Sequence, residues 1–233
     1  MPTFRDHYLG APDFRALRRV AAAQDGLFTI DEGRACGFSR GLLSYHVRSG
    51  RLHRARRGIY RWPGPDEVPL EWGGITPGPY GRVRLEWMSA GRAHAAVSHS
   101  TALWLLGLMD EPVGAVHLTL HRRRRGTVPS RDVQRARRVR IHLLPVRPPE
   151  GDRVERHGMV VVVAEQSIVD AAKEWTSPYA VEEAIARGLV AGSVSAAGLL
   201  ARARRRGERV RKVVEAALAG ARRDPTGWRP PRP

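Results

Sequence analysis

Cysteine is almost missing from this sequence. Cys36 stands alone, so no internal disulfide can form and no cysteine-based zinc cluster can assemble. Lysine is nearly as scarce, since only Lys173 and Lys212 among the 40 basic residues are lysines. No apolar run approaches the roughly 18 residues of a membrane helix, and the opening MPTFRDHYLG holds no apolar signal core. These absences lead to the expectation of a soluble, cytoplasmic chain with no membrane partner. Acids are missing from one place in particular. Between Ser39 and Trp62 lie seven arginines and not one Asp or Glu.

Positive charge dominates what is present. Lys and Arg outnumber Asp and Glu by 40 to 23, a net charge of +17, which points to a polyanionic partner. Arginine suits bidentate contact with phosphate and guanine, but a GC-rich genome also replaces lysine by arginine everywhere. The residue type owes most to the second cause and the clustering something to the first. Apolar residues make up 42% of the 233, enough for a real core in one large domain or two modest ones.

The first 62 residues are punctuated in a helical order. Phe14, Leu17, Val20 and Ala21 share one helical face, and Gly26 stops that helix. Thr29 followed by Glu32 has the spacing of a capping box, which predicts a short helix over about 30–36 that Gly37 ends. Ser39 then caps a third helix reaching about Ser49, closed by Gly50. Short alternation around Arg57-Gly58 in RLHRARRGIYRW reads as a two-stranded hairpin. Three helices and a basic hairpin in this order make a winged helix-turn-helix; the plainer alternative is a small helical bundle with a trailing hairpin.

On the third helix Phe38, Leu42, Leu43 and Val47 are expected to face inward. Ser39, Arg40, Gly41, Ser44, Tyr45 and Arg48 then point outward. A recognition helix meets base edges through its N-terminal half, which makes Arg40 the candidate for a guanine contact. Ser39 and Ser44 suit phosphate or a base edge, and Tyr45 either stacks on the sugar-phosphate wall or lies across the helix. Arg54, Arg56, Arg57 and Arg61 decorate the hairpin as phosphate contacts. The competing reading is a solvated arginine surface, but such surfaces mix both signs. The expected DNA-binding set is therefore Ser39, Arg40, Ser44, Tyr45, Arg48, Arg54, Arg56 and Arg57.

Residues 63–81 contain five prolines and five glycines and read as a linker. A second unit follows over 82–221, with a helix at VRLEWMSAGRAHA and a strand, Ser98 cap and apolar helix at AVSHSTALWLLGL. Strands are expected at VGAVHLTLH and VRIHLLP, and a buried strand runs into a helix at GMVVVVAEQSIVDAAKEW. Ala- and Arg-rich helix continues to Ala221, and residues 222–233 form a mobile tail. The fold class is α+β: a winged helix-turn-helix, then a mixed α/β domain with a small sheet and C-terminal helices.

GLFTIDEGRACGFSRGLLSYHVRSGRLHRARRGIYRW resembles the N-terminal winged-helix domain of the AbiEi-type antitoxins, regulators in type IV toxin–antitoxin pairs. The resemblance rests on Gly26 with Thr29, the Gly37 turn, the GRL exit and the RGIY strand. AVSHSTALWLLGL is similar to the family's Ser-His-x-Ser-Ala helix, with Thr101 where Ser is common. GMVVVVAEQSIVDAA is similar to a later segment in which Gly158 and Asp170 fit, while Val161, Val163, Gln166 and Ser167 depart. These later motifs are shared with relatives that end in a nuclease domain. The resemblance implies an operator-binding N-terminal domain that represses its own promoter, on double-stranded DNA carrying inverted repeats. It also implies a C-terminal domain that counters a nucleotidyltransferase toxin.

Catalytic residues, a metal set and a cofactor are not expected. Ser98-His99-Ser100 lacks a nucleophile-elbow context and reads as a helix cap. His117 and His121 share a strand face but stand roughly 13 Å apart along it, too far to share one ion. Asp170, Lys173 and Glu174 are the sole acid–lysine grouping a nuclease could use, and Asp170 reads as a structural anchor. The chain also stops where the nuclease relatives would continue. Nine arginines over 122–140, against Asp132 alone, are either a loop between strands or a second nucleic-acid contact. That stretch keeps a nonspecific nucleic-acid binder, or a regulator without a toxin, as the alternatives.

Overall fold

The structure, a computed structural model, describes residues 11–67, 74–76, 78–110, 114–121, 128–144, 149–174 and 178–223. The chain divides into two compact units between Ser89 and Ala90. The expected tail lies outside the described residues from position 224, as do residues 122–127 of the second basic stretch.

In the first unit, helix α1 (Phe14–Ala22) is capped by Asp13, whose carboxylate accepts from the Ala16 amide at 2.9 Å. Strand β1 (Leu27–Thr29) leads into α2 (Ile30–Ala35). The expected capping box forms there in full: Glu32 accepts from the Thr29 amide at 2.7 Å, and Thr29 Oγ accepts from the Glu32 amide. The tight turn at Gly37 (φ +85°) delivers the chain to α3 (Arg40–Arg48), whose cap Ser39 accepts from the Leu42 amide at 3.1 Å. Strands β2 (His53–Arg56) and β3 (Ile59–Arg61) turn at Arg57-Gly58, with Gly58 at φ +75° where a side chain would be strained. β1 pairs with β3 to complete a sheet of order β1-β3-β2. This is a winged helix-turn-helix.

Its core gathers Leu17, Ala21, Phe28, Phe38, Leu43, Leu52, Tyr60 and Trp62. Burying a side chain such as Leu43 fully is worth about 1.5–3 kcal/mol, so the seating of α3 is strongly specified. Close approach helps: a Cβ on Gly33 of α2 would stand 3.1 Å from Leu43 Cδ1, so glycine lets α2 and α3 pack tightly. Two sequence expectations change. Ile75, placed in a linker, packs on this core, and its amide donates to the Pro63 carbonyl at 2.9 Å. Helix α4 (Gly81–Ala90), assigned to the second unit, lies almost wholly in the first. Arg84 of α4 holds Asp25 at 2.6 Å and Glu86 holds Arg56 at 2.8 Å, and these pairs tie it there.

The second unit is built on a mixed five-stranded sheet of order β6-β5-β4-β8-β7. The strands are β4 (Ala95–Val97), β5 (Val116–His121), β6 (Val139–Leu144), β7 (Arg153–Arg156) and β8 (Met159–Val162). β5 and β6 run parallel, so a two-residue turn cannot join them. The basic stretch between them contains helix α6 (Arg131–Arg137), capped by Ser130, where the sequence suggested a loop. Helices α5 (His99–Leu105) and α7 (Ala164–Lys173) pack with α8 (Pro178–Val190), α9 (Ala196–Arg206) and α10 (Glu208–Arg223) around Leu103, Ile168, Val181, Ile185, Leu199 and Val214. Among the described residues no helix is long and apolar enough to cross a membrane.

Candidate nucleic-acid interface

The helix α3 and the β2–β3 wing frame one open, polar concavity. Arg40 and Ser44 line it from α3, Arg54 and Arg57 from the wing, and Ile30, Gly58 and Tyr60 form its floor. Four of the eight expected DNA-binding residues thus converge. Arg40, Arg54 and Arg57 are exposed. Together with Arg48, also exposed, they form no ion pair with any described residue. Uncommitted guanidinium groups on one face leave their donors available to phosphate or to a base edge.

The remaining expected residues are placed differently. Ser39 uses one lone pair of its oxygen on the α3 cap, which ties the side chain to the helix start and leaves its proton and second lone pair for a ligand. Tyr45 is half exposed at the surface of α3, and Arg48 lies in its last turn; neither lines the concavity. Arg56 is engaged elsewhere. Its guanidinium donates to Glu86, whose side chain is 5% exposed, so releasing Arg56 to DNA would strand a buried carboxylate. Arg61 is likewise occupied, in a two-point contact with Glu67 at 2.7 and 2.8 Å. That contact and the Gly64 amide hold the Glu67 carboxyl down to about 2. Acids from outside residues 39–62 therefore sort its arginines into structural and free ones.

Sequence reasoning overlooked His46. It is buried on the inner face of α3 against Phe14, ring centroids 5.0 Å apart and edge-to-face, and neither ring nitrogen has a hydrogen-bond partner. Burial, then the nearby Arg51 charge, lowers its pKa. The signal was present in its spacing, three residues beyond Leu43 on the same helical face. Gly41 is exposed, and a Cβ there would meet only Ser39 Oγ at 3.8 Å, so packing does not require a glycine.

In the second unit a hollow beside α6 is lined by Arg131, Gln134, Arg135, Arg138 and Arg140. Arg140 is paired with Glu174 at 2.8 Å. The same unit brings His99, His117 and His142 together, a grouping the sequence reading missed. His117 and His121 do not share an ion-binding grouping. Ser98 occupies the cap position of α5 without capping it; its hydroxyl lies 2.9 Å from His99 Nδ1 instead. Desolvation, followed by the two neighbouring histidines, lowers His99 to about 2. Desolvation also takes His117 to about 4 and lowers His142. Asp170, expected to cap its helix or anchor it to the sheet, instead ties α7 to α9 through an ion pair with Arg206 and accepts a hydrogen bond from Gln166 within its own helix.

A three-helix unit with a basic wing and a free arginine face defines the class: a winged-helix nucleic-acid-binding domain. Residues 15–63 match the model of the family described as "Transcriptional regulator, AbiEi antitoxin", which falls on the winged helix. No curated protein matches the chain. Among solved structures, the chain is similar to the RV2827C protein from Mycobacterium tuberculosis. The identity is 15% and the TM-score 0.59, over 91% of this chain and 78% of that one, a likeness of fold.

Proposed function

We propose that this chain is a sequence-specific DNA-binding regulator of its own promoter and the antitoxin half of a type IV pair that counters a nucleotidyltransferase toxin. The observation that carries the DNA-binding part is the convergence of Arg40, Ser44, Arg54 and Arg57 on one concavity with no ion pair among them. Arg40 stands in the first turn of α3, where base edges are met. Arg54 and Arg57 on the wing engage phosphates and set the register. The family match over residues 15–63 supports the regulatory and antitoxin parts. The reading assigns no catalytic residue.

A salt series tests it. Binding to the chain's own promoter is measured against scrambled DNA of the same length. A regulator retains its preference as salt rises, whereas parallel loss with no preference at any salt defeats the reading. The arginine-lined hollow beside α6 favours the second reading, a general nucleic-acid binder, and Arg131→Ala with Arg135→Ala separates the two. A regulator keeps its promoter preference in that double variant; a general binder loses affinity for all sequences alike. Co-expression with a nucleotidyltransferase encoded beside this chain tests the antitoxin part, and toxicity unchanged by the chain would remove it.

A further inference from the structure

We propose that His99, His117 and His142 form a binding site for one zinc-class divalent transition-metal ion in the second unit, a site that does not depend on the DNA-binding reading. One nitrogen from each of the three rings lies within 4.8 Å of the others. His117 Nδ1 and His142 Nε2 face each other at 3.1 Å. Two nitrogens bound to tetrahedral zinc at about 2.0–2.1 Å stand about 3.3 Å apart, so this pair already has the spacing of one edge of the coordination shell. The His99 ring stacks on that of His142 with centroids 3.8 Å apart, which brings its nitrogen within 4.8 Å of the pair.

The far nitrogen of His99 has a hydrogen-bond partner, and that of His142 faces a carboxylate. His99 Nδ1 is engaged by Ser98 Oγ at 2.9 Å, which leaves Nε2 free. His142 Nδ1 points toward the Glu174 carboxylate at 3.8 Å, which leaves Nε2 toward His117. A carboxylate or hydroxyl behind an imidazole fixes the ring and raises its basicity toward a metal. His99 also holds a left-handed backbone, φ +54°, uncommon for a residue with a side chain and found at functional sites.

The charges around the cluster oppose and assist. Arg140, Arg206 and Lys173 repel a cation, but Arg140 is paired with Glu174 and Arg206 with Asp170. Three neutral imidazoles with water or a small anion as the fourth ligand suit zinc, cobalt or nickel rather than magnesium or calcium.

The test uses the full chain, stripped with a chelator and titrated with Zn²⁺ against a chromophoric competitor and with Co²⁺ by visible absorption. One ion per chain and the intense bands of four-coordinate cobalt are expected. One equivalent of Co²⁺ should shift the imidazole proton resonances of three histidines. His117→Gln and His142→Gln should weaken binding by about 100-fold or more, and Ser98→Ala by about 10–100-fold. His121→Gln, on the same strand but outside the cluster, should leave affinity unchanged. The proposal fails if no saturable 1:1 binding occurs. It fails equally if binding survives the His117 and His142 changes, or if His121→Gln weakens it as much. Should those variants unfold, the wild-type resonances decide: shifts confined to other histidines overturn the site.

Discussion

At the scale of single residues, the arginines of the wing are chemically alike and physically different. Arg40→Ala is expected to lower promoter preference by about 1–3 kcal/mol, read as the ratio of affinities for promoter and scrambled DNA. Arg57→Ala should weaken both DNAs alike and reduce the salt slope by about one unit. Arg56→Ala belongs to another category, because it leaves Glu86 buried without its partner. We expect a loss of about 1–3 kcal/mol in stability by denaturant unfolding, largely recovered by adding Glu86→Gln, with little change in the salt slope. His46 supplies the pH dependence. Its folded pKa is depressed, so the unfolded chain takes up the proton more readily, and the stabilising effect of the neutral ring is lost as pH falls below about 6.5. Protection factors in residues 14–62, corrected for the intrinsic pH dependence of amide exchange, should fall over that range, and His46→Phe should flatten the response. No pattern of residue types separates Arg56 from Arg57, because the partner that distinguishes them lies thirty residues away.

At the scale of elements, local chemistry was readable and dependent chemistry was not. The capping box of α2, the Ser39 cap and the Gly37 and Gly58 turns are set by neighbours in sequence, and each stands where spacing placed it. Strand β1 has three residues and β7 four, too few for a period, and each exists because a partner pairs with it. Helix α6 was hidden by its arginines, although Ser130 marked its start. The three histidines are 18 and 25 residues apart in sequence, and the parallel β5–β6 register brings two of them together, with His142 opposite Thr119. Gly41 offers a test at this scale. Gly41→Ala should stabilise α3 by about 0.5–1 kcal/mol, since the added methyl meets no close neighbour. If the backbone there lies against DNA, the same variant binds promoter more weakly while melting higher; unchanged affinity would mean that DNA does not approach at Gly41.

At the scale of the molecule, the sequence predicts a winged helix over 1–62, a linker over 63–81 and a second unit from 82, whereas the first compact unit runs to Ser89. The Pro- and Gly-rich composition of 63–81 disguised a segment that returns to the winged-helix core through Ile75 and to its surface through α4. The two sheets also differ in how far apart in sequence their strands are. The first closes when β3 pairs with β1, so its partners lie within residues 27–61. The second waits, because central β4 pairs in parallel with β8 through Val97 and Val161, 64 residues later. During synthesis, chains emerge N-terminus first and contacts form in that order. The winged-helix unit can therefore be complete while the sheet that gathers the histidines still lacks β8. Chains that end between residues 125 and 155 should already protect residues 14–62 from protease while β4 still lacks its β8 partner. Interruption at this stage would release a polypeptide with a folded winged helix and an unfinished second unit, its histidine cluster not yet framed by a complete sheet.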